Sequence, residues 1–326
     1  MLINGINNNT KIKVKNMSLL VFLCCIGKCI IYGSSILFTG KLTESVDVLD
    51  VLALRFLMSI VVLWILKVTK ILKIKVGVSE LLGKSDRKQH IKTIICAAVF
   101  EPVLYMLFET LGISMTTNIM AGAILAVSPI FTCVCESFIL GEKSSWTKRI
   151  FLGIGVIGVL YITAHSGTSG NENSIQGIIF VFLAVISGCM FEAFSRKSTK
   201  AFEPVEITYV SCMLGTVVFN AVNVVRHIFI GDLTNYFKPY FNIENMVGFV
   251  FLAVLSTIAA TLMGNYTLKK ITVSSYAAFG GISTLVTVVL GVIFNNETLY
   301  MYHIIGFALI FIRIIGVIFI DKKSMR

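Results

Sequence analysis

The sequence predicts an all-α integral membrane protein with ten transmembrane helices, arranged as two inverted repeats of five helices. Three observations predict this class. The chain of 326 residues is 56% hydrophobic and only 14% charged, whereas a soluble domain is about 45–50% apolar and about 25% charged. Its apolar residues form ten runs, each near the ~20 residues that a bilayer requires. A similar pattern of segments occurs twice, about half a chain apart.

The ten predicted spans follow one another with short gaps. They cover residues 17–38, 47–67, 92–111, 117–139, 148–165, 176–195, 205–226, 245–264, 273–294 and 302–320. The first run has no small-residue cleavage site and continues through about 21 residues, which favours an uncleaved helix over a signal peptide. Residues 1–16 are polar and form a predicted cytoplasmic tail, and both Met1 and Met17 are open as the start of the protein.

The repeat is clearest in the fourth and ninth spans. Residues 119–140 form an apolar run that leads to Glu142, and residues 276–294 form one that leads to Glu297; the two glutamates lie 155 positions apart. Because each half holds an odd number of spans, the second half must enter the membrane upside down relative to the first. We therefore predict a first repeat at 17–165, an external linker at 166–175, a second repeat at 176–320 and a cytoplasmic tail at 321–326.

Lysine and arginine residues predict the orientation. Of the 28 basic residues, 22 lie in the two tails and in every second gap, and only Lys41, Arg226 and Lys238 lie in the alternate gaps. Cytoplasmic loops carry the excess of basic residues, so we predict a multi-pass protein of the cytoplasmic (inner) membrane with both termini in the cytoplasm. The net charge of +11 therefore does not indicate a nucleic-acid partner, because the charges are spread over short gaps between apolar runs.

Three further patterns have explanations without a metal or a cofactor. The eight cysteines all fall in apolar runs, where cysteine packs as a small apolar residue. The four histidines lie in loops or at span ends, with no pair at ligand spacing. Residues 153–158 match Gly-x-Gly-x-x-Gly, but they lie within an apolar helix instead of following a strand, and small residues there let helices approach closely. The sequence therefore predicts neither a metal site nor a cofactor.

Four short motifs carry a resemblance to a known family. They are Tyr32-Gly33-Ser34-Ser35 followed by Lys41, Leu54-Arg55-Phe56, Ser128-Pro129 with Gly141-Glu142, and Glu297 followed by Gly306 and Gly316. In their order, their spacing and their ten-span context, they resemble the drug/metabolite transporter superfamily, specifically EamA-like membrane proteins, in two copies from Met17 to Ile320. The second copy departs from the family pattern, with Thr284 where proline is frequent and Asn295-Asn296-Glu297 in place of Leu-Gly-Glu.

The resemblance implies two inverted five-helix bundles around a central cavity, in a secondary transporter that exports or exchanges a small polar metabolite. Family members handle amino acids, nucleotide precursors, sugars or drugs, and we predict an amino acid or a related compound. Two alternatives stay open: an intramembrane scaffold or sensor without transport activity, and export of drugs or nucleoside-like compounds. An intramembrane enzyme is disfavoured, because no histidine or aspartate lies at mid-span to build a catalytic set. Proton coupling and a homodimer are also open.

Charged residues within the spans are the first candidates for the site. A charge at the centre of a spanning helix costs roughly 2.5–3.5 kcal/mol on insertion scales, so it needs a partner or a wet cavity. Lys28 and Glu101 fall near the middle of spans one and three. Either they face the cavity and bind or gate a zwitterion, or they form a structural ion pair. Pro102 and Pro129 remove helix hydrogen bonds, which marks either a substrate-binding helix break or a simple kink.

Other polar residues extend the predicted site. The remaining substrate or coupling candidates are Tyr105, Glu109, Ser128, Asn265, Tyr276 and Ser283. Glu109 is expected near the outer end of its span, in contact with solvent. Glu136 and Glu192 are expected near cytoplasmic ends, paired with Lys143 or Arg196. Arg313 is expected to extend its side chain to the cytoplasmic surface, from a last helix that the resemblance places at the periphery.

The placement of Glu101 suggests a mechanism. Burial and a nearby cation act in opposite directions on the protonation of a carboxyl group. A carboxyl group held between those influences can change its protonation state when a substrate ammonium group or Lys28 moves. We therefore predict that a proton and the substrate compete for Glu101 while the two bundles rock around the site.

Overall fold

The computed structural model describes residues 18–74, 88–125, 127–141, 145–165, 174–294 and 300–324. These ranges are almost entirely helical and contain no β-strand. The α-helices are α1 (Leu19–Ser45), α2 (Val48–Val68), α3 (Lys88–Ala98), α4 (Tyr105–Ile113), α5 (Asn118–Leu125), α6 (Ser128–Cys135), α7 (Trp146–His165), α8 (Ile175–Ser198), α9 (Pro204–Ile230), α10 (Ile243–Val250), α11 (Thr261–Leu268), α12 (Val273–Phe294) and α13 (Met301–Ser324).

Within the described ranges, eight helical segments are long and apolar enough to cross a membrane. They are Leu19–Ser45, Val48–Val68, His90–Ile113, Ile175–Ser198, Pro204–Ile230, Ile243–Leu268, Val273–Phe294 and Met301–Ile320. The predicted all-α integral membrane class is confirmed, whereas the predicted number of ten spans is not. The predicted span at 117–139 is divided into α5 and α6, and the one at 148–165 coincides with α7, a helix of 20 residues.

Polar residues in the short gaps determine where several helices begin and end. The side chains of Ser18, Asp47 and Ser174 accept hydrogen bonds from the first-turn N–H groups of α1, α2 and α8. Such caps satisfy donors that have no partner within the helix. Gly231 ends α9 with a left-handed backbone, φ 75°, a conformation that glycine adopts at little cost.

The packing of the helices follows the internal repeat. Helix α1 packs against α12, and its counterpart α8 packs against α5 and α6; α2 packs against α9, and α7 packs against α13. If each helix is replaced by its counterpart in the other half, the contact of α1 with α12 becomes the contact of α8 with α5 and α6. The pairs α2–α9 and α7–α13 stay the same. That pattern is expected of two repeats related by a pseudo-two-fold axis.

Two of the three glycines of the Gly-x-Gly-x-x-Gly match, Gly155 and Gly158, lie in the contact between α7 and α13. A Cβ atom at Gly158 would lie 2.8 Å from the carbonyl oxygen of Gly306, and one at Gly155 would meet the side chain of Arg313. These positions therefore allow the two helices to approach closely.

Two segments are interrupted at corresponding places in the two halves. In the first half, the π-helical turns Val99–Leu104 separate α3 from α4, and Glu101 has an extended backbone with φ −138° and ψ 117°. In the second half, the π-helical segment Phe251–Ala260 separates α10 from α11. Of the two segments, the first contains irregular backbone, at Glu101, whereas the second stays within one helical segment, Ile243–Leu268. Irregular backbone is tolerated in a membrane where it is buried in protein or lines a cavity. Glu101, and Thr261 directly after the second interruption, both line the central cavity.

Candidate functional site

A cavity of about 100 Å³ lies between the two halves of the protein. Residues of α1, α4, α5, α6, α8, α11 and α12 line it, together with Glu101 from the interrupted segment before α4. Both repeats therefore contribute equivalent helices to its walls. The space accommodates several water molecules or a small metabolite, and it is smaller than the ~300–1,000 Å³ of pockets for drug-sized ligands.

Seven of the eight predicted substrate or coupling residues line this cavity: Lys28, Glu101, Tyr105, Glu109, Ser128, Tyr276 and Ser283. The eighth, Asn265, lies outside the lining and is fully buried. Its Oδ1 accepts a hydrogen bond from Ser195 Oγ at 2.7 Å, and its Nδ2 donates to Thr208 Oγ1 at 3.0 Å, so it joins α11 to α8 and α9. Pro102 and Pro129 are buried beside the lining residues that precede them.

Tyr32 connects the two charged residues that the sequence places at similar depth. Its hydroxyl donates to Glu101 Oε1 at 2.9 Å, and Lys28 Nζ lies 4.7 Å from the centroid of its ring. Lys28 Nζ also lies 4.4 Å from the ring centroid of Tyr276. In the part of the chain that the structure describes, no nitrogen–oxygen contact within 4.0 Å joins Lys28 to Glu101. The two residues are linked through Tyr32, and the alternative of a direct structural ion pair is wrong for this conformation.

Two further carboxyl groups face the cavity, and the sequence misplaced both. Glu109 is 4% exposed and accepts a hydrogen bond from Tyr105 Oη at 2.6 Å, so the expectation that it contacts solvent is wrong.

Glu192 lines the cavity and accepts a hydrogen bond from Thr132 Oγ1 at 3.1 Å. It does not pair with Arg196, whose guanidinium donates to the carbonyl oxygen of Leu268. Helix α8 continues to Ser198, beyond the predicted end of span six, so Glu192 lies deeper than expected. As the only acidic residue between positions 176 and 195, it carried a signal that sequence reasoning passed over.

Two more buried charges hold the helices around the cavity. Glu136 Oε1 accepts from the backbone N–H groups of Val273 at 3.0 Å and Ser274 at 3.4 Å, a position at the start of α12 where a carboxylate is favoured. Arg313 is fully buried and donates to the Ala278 carbonyl oxygen at 3.4 Å. The expectation that Arg313 reaches the membrane surface is wrong, because α13 packs tightly against α7 and α12 around it. Lys143, Glu142 and Glu297 lie outside the described residues.

Arg55, which sequence reasoning treated only as part of a motif, lies buried behind the cavity. Its Nε donates to Thr257 Oγ1 at 2.7 Å, and its Nη2 donates to Ser256 Oγ at 3.0 Å. Both acceptors belong to the π-helical segment of the second half. Arg55 therefore fixes α2 to that interrupted segment, and its positive charge acts on the Glu109 carboxyl group.

The described lining of the cavity contains three carboxyl groups but a single ammonium group. Each of the carboxyl groups of Glu101, Glu109 and Glu192 accepts a hydrogen bond from a hydroxyl. Among the described residues, none of the three has a lysine, arginine or histidine nitrogen within 4.0 Å. Ionisable groups inside a membrane protein mark substrate and ion pathways when they line a wet cavity. This arrangement suits a small ligand that carries positive charge.

Comparisons with known proteins agree with this architecture. The model of the EamA-like transporter family matches residues 19–164 and again residues 175–319. The chain is 30% identical over 314 residues to the Uncharacterized transporter YcxC of Bacillus subtilis (strain 168). The aligned region covers 96% of this chain and 97% of that protein. It is also 21% identical over 227 residues to the WAT1-related protein At3g02690, chloroplastic, of Arabidopsis thaliana, covering 68% of this chain and 53% of that protein.

A solved crystal structure has the same fold. It superposes with a TM-score of 0.66 over 93% of this chain and 98% of its own, at 15% sequence identity, so this likeness concerns the fold alone. The family match, in contrast, extends over nearly the whole chain in two copies. This protein therefore belongs to the EamA-like transporter family.

Proposed function

We propose that this membrane transporter moves a small polar metabolite with an amino group, an amino acid or a related compound, by alternating access around the central cavity. The observation that carries the proposal is the composition of that cavity, whose described lining places three carboxyl groups and one ammonium group around space for a small molecule. The carboxyl groups suit a substrate ammonium group, and Lys28 suits a substrate carboxylate. In transporters built from inverted repeats, the substrate lies at the interface between the repeats.

Glu101 is the proposed coupling residue. It lies at the interruption of its helix, is 7% exposed, and is held by the Tyr32 hydroxyl. A carboxyl group without a cation in direct contact can bind either a proton or a substrate ammonium group, so the two compete. The distribution of lysine and arginine supports an orientation with both termini in the cytoplasm of the cell. Export or exchange as the direction of transport follows only from the resemblance to the family.

The small volume of the cavity favours a metabolite over a drug-sized compound. A scaffold or sensor without transport activity would not need charged groups in an enclosed space inside the membrane, where each has an energetic cost. Proton-coupled transport gives these groups a role.

The proposal is tested with purified protein in proteoliposomes, using a panel of radiolabelled amino acids and related amines. We expect uptake of at least one compound, driven by an imposed proton gradient. In the Glu101→Gln variant, the amide oxygen still accepts the Tyr32 hydrogen bond, but the side chain can no longer bind and release a proton. The variant should therefore insert normally and lose gradient-driven uptake.

Glu203→Gln is the matched control. Its carboxylate is 65% exposed and lies 2.6 Å from Lys269 Nζ, and such surface ion pairs contribute little, so wild-type uptake is expected. Gradient-driven uptake at the wild-type rate by Glu101→Gln would contradict the coupling role. A wild-type protein that transports no member of the panel would contradict the proposed substrate class.

A further inference from the structure

We propose that the Lys28 ammonium group is an internal substitute for the ammonium group of the substrate. In this proposal it occupies a cation subsite formed with Tyr32 and Tyr276 while the carrier is empty, and it gives way when a small primary amine binds. The proposal rests on the proposed transport function, because it names the chemical group that the same cavity selects.

The Lys28 ammonium group lies against two aromatic rings. Its Nζ is 4.7 Å from the ring centroid of Tyr32 and 4.4 Å from that of Tyr276, both within the ~6 Å at which cations are attracted to aromatic faces. Tyr32 follows Lys28 by one turn on α1, and Tyr276 lies on α12, so each repeat provides one of the rings. Proteins recognise quaternary ammonium ligands with aromatic cages, and the same attraction to aromatic faces acts on a primary ammonium group.

Lys28 is held less firmly than a partner of a direct ion pair. Within the described chain, no carboxylate oxygen lies within 4.0 Å of its Nζ, although Glu192 and Glu101 act on it electrostatically. Those two carboxyl groups accept hydrogen bonds from Thr132 and Tyr32 instead. Separating a buried ion pair leaves an uncompensated charge, whereas exchanging one ammonium group for another leaves the charge against the two aromatic rings unchanged.

The exchange is sterically reasonable because lysine carries its charge on a flexible four-carbon stem and the carboxyl groups of Glu101, Glu109 and Glu192 line the adjoining cavity. An amine that binds against Tyr32 and Tyr276 would turn the Lys28 side chain into the cavity. When the substrate leaves, Lys28 returns and compensates the carboxyl groups. The empty carrier then does not have to change conformation with uncompensated negative charge inside the membrane, which is costly.

The subsite is tested by returning the missing group as a small molecule. The Lys28→Ala substitution removes three carbons and an ammonium group, which n-propylamine, protonated at neutral pH, supplies again. At constant pH and ionic strength, we expect n-propylamine to raise the Tm of purified Lys28→Ala protein saturably. The same concentrations should shift the wild type much less, because Lys28 already occupies the subsite. n-Propanol, which has the same chain without the charge, should change neither.

Lys67→Ala is the matched control, because Lys67 Nζ lies 4.7 Å from a single ring, that of Tyr209, outside the cavity. It should show no response specific to the amine. Adding Tyr276→Leu to Lys28→Ala should abolish the response. Equal shifts with n-propylamine and n-propanol, equal responses of the two lysine variants, or a response that persists without Tyr276 would each overturn the proposal.

If Lys28→Ala protein is unfolded on purification, membranes are solubilised with either n-propylamine or n-propanol, and the yield of folded protein is compared. Recovery with the amine alone supports the subsite, and recovery with neither or with both overturns it. These titrations measure binding without transport. Failure of the amine response therefore leaves the proposed transport function standing, and absence of transport in proteoliposomes with an intact amine response contradicts the transport function alone.

Discussion

The Tyr32→Phe substitution removes a single hydroxyl from the cavity and keeps the aromatic ring against Lys28. That hydroxyl donates to Glu101 Oε1 at 2.9 Å and lies 3.5 Å from Thr261 Oγ1. Glu101 is only 7% exposed, so bulk water does not replace the lost donor, and a water molecule held in the cavity is the only other source of a hydrogen bond. One oxygen of a buried carboxyl group therefore loses its protein partner.

The expected size of the effect follows from these contacts. Leaving a buried polar group without a hydrogen bond costs about 1–3 kcal/mol. Phenylalanine keeps nearly the whole volume of the side chain and an aromatic face for the Lys28 ammonium group. We therefore expect the free energy of unfolding to fall by about 1–3 kcal/mol. Tyr32→Leu also removes the ring, and the lost cation–π contact should add about 2 kcal/mol for a desolvated cation.

The assay is reversible unfolding by SDS in mixed micelles, followed by far-ultraviolet circular dichroism. Tyr266→Phe is the control, because the Tyr266 ring is half-buried, 5.9 Å from Lys270 Nζ, and its hydroxyl makes no hydrogen bond to the described part of the protein. It should change stability by less than about 0.5 kcal/mol. Equal effects of Tyr32→Phe and Tyr266→Phe would refute the claim that the Tyr32 hydroxyl stabilises the site.

Three further outcomes are expected. Asn265→Leu leaves the Ser195 hydroxyl on α8 without its acceptor and removes the amide donor to Thr208, whose hydroxyl still donates to the Pro204 carbonyl oxygen. Unfolding in SDS should therefore require about 1–3 kcal/mol less, while the KM for transport stays at the wild-type value; a raised KM would place this residue in the binding site. Gly264→Ala would put a Cβ atom 2.6 Å from Tyr276 Oη and so displace the Tyr276 ring. Added to Lys28→Ala, it should therefore weaken the Tm response to n-propylamine, and an unchanged response would exclude a role for the position of that ring. Reporter fusions should report an external location at Asp232 and an internal one at Lys270, and exchanged locations would contradict the proposed orientation.

The fold class could be predicted from the sequence because a bilayer imposes a linear pattern on the chain. Apolar runs near the length of a spanning helix and basic gaps between them are visible without any knowledge of packing. The contrast between charged and apolar residues also predicted much of the site. Lys28 and Glu101 are charges that interrupt apolar runs, and Pro102 marks the place where the helix is broken.

The remaining features depend on contacts between helices that are distant in sequence. Glu192 was assigned to a local pair because Arg196 follows it by one turn, yet its own carboxyl group lines the cavity. Arg313 was expected at the surface because it lies near the cytoplasmic end of its span. Its burial follows from the packing of α13 against α7 and α12, which the sequence does not show. Asn265 was a candidate for the site but joins helices instead. The sequence does not distinguish the two roles, because the polar residue types that join helices also bind ligands.

The alternating exposure of one cavity is tested most directly by labelling a single thiol in the cavity from each side of the membrane. Ser283 lines the cavity and donates to the Gly280 carbonyl oxygen of its own helix at 2.7 Å, so Ser283→Cys is a mild change in a variant whose eight native cysteines are replaced. We predict that a membrane-impermeant maleimide reacts at this position in both right-side-out and inside-out vesicles, and that a transported metabolite slows both reactions. Reaction from one face alone, whether or not metabolite and a proton gradient are present, would contradict alternating access.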